Sequence, residues 1–167
     1  MLRRCAAALV TALGVAQLAS AQAPELRIDR DGRPSVTLTR DAITKLPVDT
    51  VTGHASHGAP PVRYRAVKLV DILAAAGSPV DSLRLGHAAW LVVAHSKDGY
   101  IAAFTSAEID PTLGPSRAYL AFARDGAPLD SSESPFHLVV PTDSHATRSA
   151  RMVISLRIFD PLAPTTR

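Results

Sequence analysis

Cysteine is almost missing from this chain. Cys5 is the one thiol in 167 residues, which excludes a disulfide framework and any Cys-x-x-Cys metal or redox site. Aromatic residues are also scarce, at 5%, and no series of them alternates with basic residues, so there is no stacking platform for single-stranded nucleic acid. Lys and Arg outnumber Asp and Glu by 18 to 15, yet they form no run. The basic isoelectric point therefore does not describe a nucleic-acid-binding stripe. Long hydrophobic runs are absent beyond the first twenty residues. Gly-x-Gly-x-x-Gly, the P-loop and His-Glu-x-x-His do not occur either, which removes the commonest phosphate-cradling and zinc-hydrolase signatures.

What is present begins with a three-zone N-terminus. Arg3 and Arg4 precede an apolar run from Cys5 to about Leu18, and Ala19-Ser20-Ala21 supplies the short side chains of a signal-peptidase site. The run is shorter than the roughly 20 residues needed to cross a bilayer and has no charged stop after it. The expectation is a signal peptide over residues 1–21 and a single domain over 22–167, periplasmic or secreted, with no membrane span after cleavage. Losing Arg3 and Arg4 takes the net charge from +3 to +1. It also takes Cys5, leaving an exported chain free of thiols. No nucleic-acid partner is expected.

Across the sequence, 13 Pro and 9 Gly are spread as punctuation between short segments. Period-two alternation over Glu25–Asp29 and Ser35–Thr39, around Asp31-Gly32, predicts a hairpin. Thr39 can cap a short helix ending before Pro47. Strands are expected at Val48–Gly53 and Val62–Arg65, and a helix over Leu69–Ala76 is closed by Gly77. Further strands are expected at Ala88–Ala94, Tyr100–Phe104, Ala118–Ala123, His137–Val140 and Met152–Phe159. Ser106 opens one helical turn. Trp90 and Phe122 are expected in the core, and Glu108 and Asp110 at the surface. Strands outnumber helices, so the fold class expected is α+β with a β-rich, barrel-like core of mixed sheets.

Four blocks in order carry a family resemblance: Tyr64-Arg-Ala-Val-Lys-Leu-Val-Asp-Ile-Leu-Ala-Ala-Ala-Gly77; Ser96-Lys-Asp-Gly-Tyr100 with Phe104-Thr105; Leu120-Ala-Phe-Ala-Arg-Asp-Gly-Ala-Pro-Leu129; and Pro135-Phe-His-Leu-Val-Val-Pro141 with Arg148-Ser-Ala-Arg151. Over about residues 26–160 the chain resembles the molybdopterin-binding domain of the sulfite oxidase superfamily, in its short exported form. The resemblance implies a fold that holds a pyranopterin dithiolene carrying molybdenum, a redox activity and a redox partner protein. It implies that Arg148, Ser149 and Arg151 line the cofactor near the last strand, where two guanidiniums can clamp a phosphate. The alternative is two arginines on a solvated loop.

His137 falls where the family usually has an Arg facing the cofactor. It can donate to a phosphate or pterin, or it can be a buried histidine satisfied by backbone. His54 precedes the Tyr64 block, which the family places near its pocket. Asp98-Gly99 is a hairpin turn first and a pocket edge second, and Asp98 and Tyr100, which opens the next strand, are candidate cofactor contacts. The family also binds molybdenum through a protein thiolate, a soft donor suited to that centre. This chain has none in its mature part, so molybdopterin is implied while molybdenum is in doubt.

Outside the resemblance, His54-x-x-His57 has the spacing of two metal ligands, though such loops are more often solvated. Asp143-Ser144-His145 contains triad residue types, but consecutive residues do not adopt triad geometry. Two readings fit these residues: a redox enzyme whose molybdenum has oxygen or dithiolene ligands only, and a non-catalytic module for a pterin-like molecule, a small anion or a partner protein.

Overall fold

The structure is a computed structural model. It describes residues 23–54, 60–78, 90–113 and 117–161; the expected signal peptide and His57 lie outside this set. The predicted first hairpin forms as β1 (Glu25–Arg30) and β2 (Val36–Thr39), paired antiparallel from Glu25↔Thr39 to Ile28↔Val36. Thr39 then caps α1 (Arg40–Thr44), its side chain accepting from the Ala42 N–H at 3.2 Å. A long hairpin follows, β3 (Val48–His54) against β4 (Pro61–Lys68), leading straight into α2 (Leu69–Ala75). Gly77, at φ 71°, ends α2 in a Schellman motif: the Gly77 N–H reaches the Ala74 carbonyl and the Ser78 N–H reaches that of Leu73.

The remaining elements are β5 (Leu91–Ser96), β6 (Ile101–Thr105), α3 (Ser106–Ile109), β7 (Tyr119–Arg124), β8 (Ala127–Pro128), β9 (His137–Val139), a 3-10 turn (Ala146–Arg148) and β10 (Val153–Phe159). They make two five-stranded sheets. One has the order β2-β1-β10-β5-β6, with β1 and β10 parallel; the other runs β3-β4-β7-β8, and β9 also pairs with β7. The fold class is α+β and β-rich, as expected. The described strands form open sheets and no closed barrel.

Alternation along the strands sends one face of each sheet into a shared core. Leu26, Ile28, Val92, Phe104, Leu156 and Ile158 come from the first sheet, and Val67, Leu120 and Leu138 from the second, with Leu69, Ile72 and Leu73 of α2 beside them. Each such side chain contributes roughly 1.5–3 kcal/mol by leaving water. Phe122 is in this core and Trp90 packs at its margin, just ahead of β5 instead of inside it.

Asp110 corrects the sequence expectation, being 1% exposed. It closes α3 with its N–H on the Ser106 carbonyl, and its Oδ1 accepts from both the N–H and the hydroxyl of Thr112 at 2.8 and 2.7 Å. Its own turn thus satisfies one of the two carboxylate oxygens of this short side chain.

The other face of the second sheet carries a smaller core of Val51, Tyr64, Ala66, Tyr119, Ala121, Leu129 and Val139. The β3–β4 hairpin curls over it. Gly53 comes so close to β9 that a Cβ there would lie 2.5 Å from Val139 Cγ1. Only a residue without a side chain permits this approach.

Candidate functional site

The residues singled out in the sequence fall in three places. The first is a buried polar cluster behind the smaller core. His137 on β9 pairs across to Ala121 and is 0% exposed, its ring 5.0 Å from that of Tyr64. Glu133, 2% exposed, accepts from the Tyr64 hydroxyl at 3.1 Å and from Arg124 at 3.2 Å through one oxygen, Oε1. His137 Nδ1 also stands 3.2 Å from that oxygen but off the direction of a hydrogen bond. Glu133 Oε2 and both ring nitrogens of His137 thus have no hydrogen-bond partner.

Burial depresses the His137 pKa, and the charges of Arg151 and Arg124 add to this while Glu133 opposes it. The imidazole therefore favours its neutral form. Tyr64 is pushed well above the ordinary phenol range by burial and by Glu133. Two donors, from Tyr64 and Arg124, thus converge on one oxygen of Glu133 while its other oxygen receives none. Glu133 was not among the residues singled out in the sequence, where it stands between serines in Asp130–Ser134. Its one signal was the i,i+4 spacing to His137.

The second place is a staple at the edge of the first sheet. The Arg148 guanidinium forks onto Asp143, Nε to Oδ2 at 2.8 Å and Nη2 to Oδ1 at 2.6 Å, while Nη1 reaches Glu108 Oε1 at 2.7 Å. It lies 5.1 Å above the Phe104 ring. These carboxylates hold its pKa above the ordinary arginine value. Burial pushes Glu108 up, but bonds from Thr105 and Arg148 outweigh it and the net shift is downward. Glu108 also completes a capping box with Thr105 at the start of α3.

Tyr100 joins the same region by donating its hydroxyl to the Thr147 carbonyl. Asp98 is exposed and accepts from the Tyr100 N–H at 3.0 Å within its own turn. Ser149 is half-buried, with its N–H on the Ala146 carbonyl. Arg151 is exposed. The segment around it is hydrogen-bonded to β9 through Leu138 N–H to the Ala150 carbonyl, at 2.7 Å, and Val153 N–H to that of Phe136, at 2.8 Å. Arg151 and His137 are thereby brought together electrostatically, whereas Arg148 is turned to a different set of partners.

The third place is a cleft of about 440 Å³ under the curled hairpin. Val51, Thr52, Gly53 and His54 form one wall with Pro61, and Arg117, Tyr119, Pro141 and Thr142 form the other. Of the residues chosen from sequence, His54 alone lines it. Its floor is continuous with the smaller core, because Val51 and Tyr119 belong to both. Among the described residues no three His, Cys, Asp or Glu side chains are grouped to hold a metal.

No protein-family model and no curated protein matches this sequence. Among solved structures, the fold is similar to the crystal structure of the sulfane dehydrogenase SoxCD from Paracoccus pantotrophus, with a TM-score of 0.61 at 20% identity. The likeness covers 82% of this chain but 38% of that one, so this chain spans well under half of its neighbour's length. At such identity the likeness concerns the fold, which is of the sulfite-oxidase-like type.

Proposed function

We propose that this chain is an exported, oxidoreductase-like domain that binds a pterin-type molecule or a similar small ligand in the cleft under the β3–β4 hairpin, without a protein–metal bond. The observation that carries this reading is the cleft. Its volume falls in the range of roughly 300–1,000 Å³ usual for ligand sites. Val51, Pro61, Tyr119 and Pro141 offer apolar walls for a flat ring, and Thr52, His54, Arg117 and Thr142 offer polar groups for its edges.

The residues fit the two parts of a molybdenum cofactor unequally. A pterin ring suits the cleft, and Arg117 supplies a cation for an attached phosphate. The metal has no protein donor of the right kind, because the one thiol, Cys5, precedes the expected cleavage point. Arg148 already spends three of its donors on carboxylates. A binding role is therefore favoured over sulfite-oxidase-type catalysis.

The test is direct. Protein purified from its native compartment is assayed for molybdenum by elemental analysis and for pterin by fluorescence after oxidation, and the metal-free protein is titrated with pterin. Saturable pterin binding that weakens in Tyr119→Ala, with molybdenum well below stoichiometric, supports the proposal. Stoichiometric molybdenum overturns the binding-module reading in favour of an enzyme. Absence of pterin together with no saturable binding overturns the ligand itself.

A further inference from the structure

A second cleft, of about 300 Å³, opens where the β1–β2 turn meets the end of α2. Its walls include Arg30, Arg33, Pro34, Val36, Gly77 and Ser78. The turn that builds it is closed by the Arg33 N–H on the Arg30 carbonyl at 3.0 Å, with Gly32 at φ 73°. This geometry places two guanidiniums three residues apart in one concavity. Arg30 lies over the Trp90 ring at 5.3 Å, which fixes its plane. Its Nη1 is nonetheless buried with no hydrogen-bond partner.

Neither arginine has a carboxylate partner among the described residues. The acids beside them are engaged elsewhere. Asp29 accepts from Arg27 at 2.8 Å and from the Ser35 hydroxyl, and Asp31 accepts from Arg157 at 3.2 Å. The carbonyls at the end of α2 do not accept from either guanidinium, so a helix-capping role does not account for the pair. Burial lowers the Arg30 pKa and the charge of Arg33 lowers it further. Among the described residues, two like charges share this cleft with no counter-charge.

We infer that this cleft binds a small dianionic oxyanion, phosphate or sulfate, free or carried on a compact apolar body. The fork-shaped donors of two guanidiniums match tetrahedral oxyanions. Ile28, Pro34, Val36 and Ala76 supply the apolar side, and the volume lies at the small end of ligand pockets. The site is separate from the cleft under the β3–β4 hairpin and does not depend on what binds there.

Trp90 is the one tryptophan of the chain and lies directly beneath Arg30, so its emission reports occupancy. The full-length purified protein is titrated with inorganic phosphate, sulfate and phenyl phosphate at constant ionic strength, with chloride as the control. A saturable change in Trp90 emission is expected, weakened about tenfold or more in Arg33→Gln and unaltered in Arg27→Gln, whose side chain serves Asp29. Arg33 is exposed, and an unchanged melting temperature without ligand confirms that the variant is folded. A phosphate-induced rise in melting temperature, present in wild type and lost in Arg33→Gln, gives a second readout. Tighter binding of phenyl phosphate than of inorganic phosphate identifies a phosphate ester as the ligand; equal or weaker binding identifies the free ion. A response that chloride reproduces, that does not saturate, or that persists unchanged in Arg33→Gln overturns the inference.

Discussion

Gly53→Ala tests the curl that makes the hairpin cleft. The added Cβ would stand 2.5 Å from Val139 Cγ1, whereas unstrained carbon–carbon contacts lie at about 3.5–4.0 Å. The hairpin or β9 must therefore yield by about 1 Å. Val139 is 1% exposed and β-branched, so rotation about χ1 relieves little. Overpacking of this kind costs about 1–3 kcal/mol, and replacing a strand glycine by alanine returns about 0.5–1 kcal/mol of backbone entropy. The net expectation is a loss of about 1–2 kcal/mol, or about 2–8 °C in Tm for a chain of this size.

The cause is separable by a double-mutant cycle. Val139→Ala alone leaves a void and costs about 1.5–3 kcal/mol, but in the double variant the new methyl at position 53 occupies part of it. The double variant should be more stable than the sum of the singles by at least about 1 kcal/mol. Gly99→Ala is the control: its Cβ meets nothing within 4 Å and its φ is +87°, so its cost is purely conformational and Val139→Ala does not rescue it. Urea unfolding at matched m-values reads all four. A Gly53→Ala protein as stable as wild type, or strict additivity with Val139→Ala, would refute the close approach and with it the shape of the cleft.

Other outcomes follow from the same geometry. His137 has its folded pKa below the ordinary 6.5, so the unfolded chain binds the extra proton first, and stability should fall as pH drops below about 6.5. Each proton taken up only by the unfolded state sets a slope of at most about 1.4 kcal/mol per pH unit; His137→Leu should flatten that acid limb in urea titrations, and an unchanged limb would assign it to other groups. Arg148→Lys keeps the charge but loses the fork onto Asp143 and the stacking on Phe104, and should cost about 0.5–1.5 kcal/mol given the partial exposure of the pair, measured by the urea midpoint. Mass spectrometry of the protein recovered from its native compartment should find Gln22 at its N-terminus; an intact Met1 would remove the signal-peptide reading and restore Cys5.

Much of the fold was legible because its local signals are strong and agree with one another. Asp31-Gly32 between two alternating segments, Thr39 ahead of α1, and Gly77 after the Leu69, Ile72, Leu73 pattern each place an element by backbone chemistry that acts within a few residues. What stayed hidden depends on partners distant in sequence. Nothing in Glu25–Arg30 announces that it lies parallel to Val153–Phe159. The chemistry of Glu133 was concealed for the same reason: an acid among serines reads as solvated until Tyr64 and Arg124 are brought over it. Gly53 sits inside an unremarkable strand and reveals its purpose only when β9 is set against it.

The positions that resemble a cofactor site were the least legible in their use. A guanidinium chosen for its fork can serve a ligand or a neighbouring carboxylate, and sequence spacing does not distinguish the two. At Arg148 the fork is closed onto Asp143 at 2.6 and 2.8 Å, with Glu108 on the third donor. An incoming phosphate would have to displace a bidentate carboxylate or bind to the residual outer edge against two negative charges. At Arg30 and Arg33 the opposite holds, since no acid among the described residues neutralises them and one Arg30 donor is buried without a hydrogen-bond partner. An anion entering the chain therefore meets less competition at the β1–β2 turn than at Arg148. If that ordering is right, Asp143→Asn should raise anion affinity at Arg148 while leaving the Trp90 response to phosphate unchanged.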